Sequence, residues 1–150
     1  MGGGGSMLVQ TPLFGEISID REKVVTFQHG IPGFENEKQF VFLPMDDSLF
    51  TVMQSVTSSL HFIVVRPFQL FPDYDFEIPT SFVNQLEIKE PDEVVIYNIV
   101  VLHDDWKKST VNMQAPIVIN SRNGKGLQIV LNQYKIKQPL FPQSVQVKNG

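Results

Sequence analysis

The chain is cut into short runs rich in β-branched and aromatic residues, and that punctuation constrains its fold more than any other feature. GEISID alternates polar and apolar residues, as a half-buried strand does. KVVTF, QFVFL, FTVMQSV, HFIVV, EVVIYNIVVL, TVNMQ, PIVIN and LQIVLNQY follow in order, each a β-favouring run. HGIPG, PMDD, VTSS, KEPDE, HDDWKK and SRNGKG separate them as turn signals, and Asn123-Gly124 is a strong hairpin dipeptide. One segment, Ile78 to Leu86, breaks the period. Phe82 and Leu86 stand four apart and Pro79 is tolerable at a helix start, so a short helix is expected there, plugging an end or side of the sheet. The expected fold is all-β, an antiparallel barrel-like single domain with one short helix.

The chain has 150 residues, enough for one domain with a real core. The opening MGGGGS reads as a Gly/Ser linker, so residues 1–6 are set aside. The domain is expected over residues 7–143, with a flexible C-terminal tail over residues 144–150. Charged residues make up only 19% of the chain, which implies a partly neutral or apolar surface. A net charge of -4 disfavours nucleic acid as a partner and suits a basic protein. With no cysteine, disulfides, thiolate nucleophiles and Cys-ligated metals are excluded. No apolar run reaches the length of a membrane span.

Catalytic signals are thin. His103, Asp104 and Asp105 bring a base and an acid together in HDDW, the basis of an alternative reading as a small hydrolase. They fall in a loop between strands, with no nucleophile turn nearby. Asp46-Asp47 and Asp73/Asp75 are acid pairs in polar turns, without a third ligand at a recognisable spacing. Gly124-Lys125-Gly126 is too short to cradle a phosphate. No cofactor or metal is expected.

Two stretches point to binding instead. QHGIPGFEN, from Gln28 to Asn36, is a stiff turn: Pro32 fixes its own φ, and Gly30 and Gly33 are free to take positive φ. It either tucks Phe34 into the core or presents Phe34 and Glu35 to a partner. The expectation is a split, with Phe34 at least half buried, Glu35 pointing outward and Lys38 its one obvious partner. RPFQLFPDYDFEIP, from Arg66 to Pro79, interleaves Phe68, Phe71, Tyr74 and Phe76 with acids. It reads as core packing or as an apolar patch with an acidic rim, the mark of protein recognition.

FGEISID, VVTFQHGIPGFENEKQFVFLP, MQSV, FIVVRP and VNMQAPIVINSRNGKGLQIVLNQY, in this order and at these separations, resemble the FliW family of flagellar assembly factors. The specific parts are FQHGIPGFE, Phe27 to Glu35, and NMQAPIVIN, Asn112 to Asn120, followed by LQIVL. The resemblance covers Met7 to about Gln143. It implies a small β-barrel-like, cytoplasmic protein with no catalytic activity. It implies two partners: flagellin before export, and the RNA-binding translational repressor CsrA, captured once secretion drains flagellin. Phe34, Glu35, Phe68, Phe71, Tyr74, Asp104 and Asp105 are the expected partner-binding residues. Gly30, Pro32 and Gly33 are the expected structural turn. Neither direct nucleic-acid binding nor membrane association is expected.

Overall fold

In QFVFLP, alternate side chains go to opposite faces of a strand, and both faces are apolar. Phe40 and Phe42 pack with one group of core residues, while Val41 and Leu43 pack with another. A strand patterned this way needs cover on both sides. The computed structural model, which describes residues 5–141, supplies it with a closed barrel inside and separate layers outside.

The strands are β1 (Ser6–Thr11), β2 (Gly15–Asp20), β3 (Val25–Phe27), β4 (Gln39–Pro44), β5 (Phe50–Ser55) and β6 (His61–Val65). Two helices follow, α1 (Pro67–Leu70) and α2 (Thr80–Leu86). Then come β7 (Val94–Val101), β8 (Thr110–Val111), β9 (Ile117–Asn120), β10 (Lys125–Gln128) and β11 (Gln138–Pro139). Strands β3 to β7 pair as consecutive antiparallel neighbours. β7 then pairs with β9, β9 with β10, and β10 with β3, which closes a ring of seven strands. The closing β10–β3 pair is parallel, one departure from the antiparallel expectation. The far end of β7 leaves β9 and pairs with β8, which carries β11 at its edge.

Three apolar layers follow from strand alternation. The barrel interior holds Phe27, Phe40, Met53, Val64, Ile117 and Ile119. Gly126 faces it, because a Cβ there would lie 2.8 Å from the Phe27 ring. The outward residues Val65, Ile96, Val100 and Val118 form a second layer with Tyr74, Leu86, Met113 and Leu131. The β1–β2 hairpin forms the third, laying Val9 and Ile19 on Val41. Burial of a side chain of this size contributes about 1.5–3 kcal/mol, so no layer is dispensable.

Helix α2 lies within the stretch expected to be helical and packs on the barrel side through Phe82 and Leu86. The four-residue α1 was not anticipated. LQIVLNQY is a strand only to Gln128; beyond it the chain turns onto the second layer, with the Ile129 amide donating to the Pro116 carbonyl. Ser6, set aside with the linker, pairs with Asp20 in the hairpin. Residues 1–4 and the expected tail over 144–150 lie outside the described residues.

Candidate functional site

The chain leaves β3 at Phe27 and enters the glycine-proline turn. The Gly30 amide donates to the Phe27 carbonyl at 2.9 Å. Ile31 and Phe34 then face each other across a Pro32-Gly33 corner, with the Phe34 amide 2.6 Å from the Ile31 carbonyl. Gly33 has φ +88° and Gly30 φ +71°, the left-handed region that favours glycine. At Gly30 space is also short, since a Cβ would sit 2.5 Å from the Glu35 carbonyl oxygen. Ile31, not singled out in the sequence, is the core anchor at 2% exposed.

Phe34 is 43% exposed and sets its ring edge-on against Phe62, centroids 5.6 Å apart. Glu35 lies on the surface, and its carboxylate accepts from the Gly33 amide at 3.0 Å. That amide, with Glu35's own, holds the carboxyl below its ordinary value. The partner of Glu35 is therefore the turn itself and not Lys38. A negative charge here neutralises the amides of a left-handed corner, as in an anion-binding nest. The turn, α2 and the β9–β10 hairpin enclose a groove of about 990 Å³, with Pro32, Glu35 and Lys38 on one side and Phe82 and Leu86 on the other.

The aromatic run folds onto the barrel. Tyr74 is 4% exposed; its hydroxyl donates to the Met113 carbonyl at 2.7 Å and accepts from the Asn98 amide at 3.2 Å. Burial pushes its phenol up to about 12. Tyr134 clamps the run: its hydroxyl donates to the Asp75 carbonyl at 2.6 Å and accepts from the Asp75 amide at 3.0 Å. Tyr74 is thus a core residue, which corrects its assignment as a partner contact; its ring has no open face to offer. Phe71 is half-buried against the second layer. Phe68 alone of the three stands out, 47% exposed and stacked on Phe76, with Asp73, Asp75 and Glu77 exposed nearby in the chain.

The loop between β7 and β8 carries the other predicted residues. His103, Asp104 and Asp105 are all exposed. Asp105 caps a single 3₁₀ turn by accepting the Lys107 amide at 3.2 Å, and the Ser109 hydroxyl accepts the His103 amide at 3.1 Å. The acid therefore orients the loop and not an imidazole. Among the described residues no cluster of three metal-ligating side chains occurs. What the sequence reading missed here is apolar. Val101, Leu102 and Trp106 are 54%, 49% and 56% exposed, and Trp106 stands edge-on to Phe141. The signal was present in VVLHDDW, where the apolar run of β7 continues into the loop.

Among the described residues no helix is long and apolar enough to cross a membrane. A sequence model described as "FliW protein" matches residues 8–140. "Flagellar assembly factor FliW" of Geobacillus kaustophilus is 42% identical over 142 residues, which covers 93% of this chain and 99% of that protein. The Bacillus subtilis protein of the same name is 40% identical, over 92% and 99%. A crystal structure of the flagellar assembly factor FliW superposes with a TM-score of 0.87 at 38% identity, covering 93% of this chain and all of that one. The same barrel, built from this much shared sequence, places the chain in the FliW family of flagellar assembly factors.

Proposed function

We propose that the protein is a cytoplasmic, non-enzymatic binding module that exchanges two partners. It holds flagellin before export, and when flagellin is drained it captures a CsrA-type repressor and so relieves repression of flagellin synthesis. Family membership supports the biological setting. The observation that carries the reading is the β7–β8 loop, where Val101, Leu102 and Trp106 are exposed beside Asp104 and Asp105. Contiguous exposed apolar side chains with charged neighbours have the makeup of a protein-recognition patch, and an exposed Trp is the side chain most often found as an anchor. The overall charge of -4 suits a basic, RNA-binding partner; within the loop Asp104 and Asp105 are balanced by Lys107 and Lys108, with Lys107 over the Trp106 ring. Phe68, with its acidic neighbours, is a second apolar contact.

Calorimetric titration of the purified chain with flagellin, and separately with a CsrA-type protein, tests this. Saturable binding to both is expected, with Trp106→Ala weakening at least one. Failure of the folded wild-type chain to bind either protein overturns the proposal.

A further inference from the structure

Asn123 and Gly124 sit at the tip of the β9–β10 hairpin, against the C-terminal end of α2. The last carbonyls of a helix lack partners within it. Here the Glu87 and Ile88 amides meet the Asn84 and Val83 carbonyls, and the hairpin supplies partners for those of Leu86 and Glu87. The Leu86 carbonyl accepts from the side-chain amides of Asn120 at 2.9 Å and Asn123 at 3.0 Å. The Glu87 carbonyl accepts from the Arg122 guanidinium at 2.6 Å, and the Glu87 carboxylate pairs with Lys125. Glu87 itself is in the left-handed region, φ +57°, so this helix end is strained as well as capped.

Asn-Gly is also the dipeptide most prone to cyclise, because glycine has no side chain to shield its backbone nitrogen. The Gly124 nitrogen would attack Asn123 Cγ and form a C–N bond. The Cγ–Nδ2 bond would break, and ammonia would leave with the proton from Gly124. Solvent water would then open the resulting succinimide to aspartate or isoaspartate. In the folded chain each reacting group is engaged. The Gly124 amide donates to the Asn120 carbonyl at 2.9 Å, Asn123 Nδ2 donates to Leu86, and Asn123 Oδ1 accepts from the Lys125 amide at 3.0 Å.

We propose that Asn123-Gly124 is a self-modification site kept unreactive jointly by the hairpin's own bonds and by docked α2, which holds the leaving amide, and that its conversion loosens that helix from the barrel. The product replaces a donor by a carboxylate that faces the Leu86 carbonyl oxygen, and isoaspartate adds a backbone methylene to the hairpin. Both take the Asn123 donor from the Leu86 carbonyl and leave Asn120 as the one side-chain donor to it. Since Asn123, Phe82 and Leu86 line one groove, loosening also opens that groove's wall. Conversion is irreversible, so the fraction converted records the time the hairpin tip has spent open and away from α2.

The test holds the full chain at neutral pH, folded or in urea, and follows conversion at Asn123 by peptide mapping that separates it from Asn149-Gly150. The unfolded chain is expected to convert at least about tenfold faster than the folded one, the factor set by a rarely populated open state. Arg122→Ala, which removes one bond to Glu87 and the ion pair with Glu93, is expected to fall between them. Converted and isolated protein is expected to exchange its α2 amides faster than unconverted protein. Equal conversion in folded and unfolded chain overturns the gating, and unchanged α2 exchange after conversion overturns the loosening.

Discussion

The Gly33 backbone amide donates to the Glu35 carboxylate at 3.0 Å, so the acid carried by the glycine-proline turn braces the corner that the Ile31–Phe34 backbone pair closes. Ile31 fixes the turn to the barrel interior, Phe34 rests on Phe62, and Glu35 neutralises the corner between them. The stiffness of HGIPGFE is thus accounted for inside the turn.

The two glycines of this turn are expected to differ. Both have positive φ, which costs an alanine about 1–2 kcal/mol. Only Gly30 also lacks room, with the Glu35 backbone 2.5 Å from a built Cβ. Gly33→Ala is expected to lower stability by about 1 kcal/mol and Gly30→Ala by clearly more, as read from urea midpoints. Phe34→Ala is expected to cost about 2 kcal/mol, below the range for a fully buried Phe because its ring is partly exposed.

Tyr74→Phe is expected to destabilise the chain by about 1–3 kcal/mol, because it strips the Met113 carbonyl and the Asn98 amide of a buried partner. Binding per folded molecule is expected to stay at the wild-type level, since Tyr74 has no open face. Its phenol is raised from 10.0 to about 12 by burial. Folding favours the protonated form, so this contribution is complete below pH 10 and is lost as pH rises towards 12. Ultraviolet titration is expected to show a tyrosine step near pH 12 that Tyr74→Phe removes.

Acid is expected to weaken the fold through four glutamates. Glu35 is held below 4.5 by the Gly33 amide, Glu37 by the Ser55 hydroxyl, Glu87 by Lys125 and Glu93 by the Lys89 amide. Their folded values are depressed, so the unfolded chain binds more protons as pH drops. Their contribution is present above 4.5 and disappears as pH falls through the lower folded values. Melting temperatures measured from pH 7 downward are expected to hold until about that point and then decline. Glu37→Gln, which keeps an acceptor for Ser55, flattens part of the decline.

Most strands were legible because short runs of β-branched and aromatic residues such as QFVFLP and HFIVV, bounded by turn signals, record local geometry. The closure was not. Thr26 pairs with Lys125 across most of the chain, and no local pattern encodes a partner so distant. LQIVLNQY overran its strand because Leu127, Ile129 and Leu131 are apolar on account of the second layer, whose demand resembles that of a sheet. In the aromatic run, composition marked Phe68, Phe71 and Tyr74 alike. Only the reach of the Tyr74 hydroxyl to Met113, 39 residues on, separates core from surface.

Reversing both acids of the β7–β8 loop, Asp104→Lys with Asp105→Lys, is expected to slow association with a CsrA-type partner and to leave the melting temperature within a few degrees of wild type. Rising salt is expected to weaken the wild-type complex by screening the same attraction. Stopped-flow rates at two ionic strengths check both.

The most direct test of partner exchange is a competition titration: flagellin added to the preformed complex of this chain with a CsrA-type repressor, followed by the release of repressor. The proposed mechanism predicts stoichiometric release as flagellin binds, with Trp106→Ala shifting the midpoint by about thirtyfold, as an anchor of roughly 2 kcal/mol requires. Repressor that stays bound while flagellin saturates the same molecules, in wild type and variant alike, would contradict it.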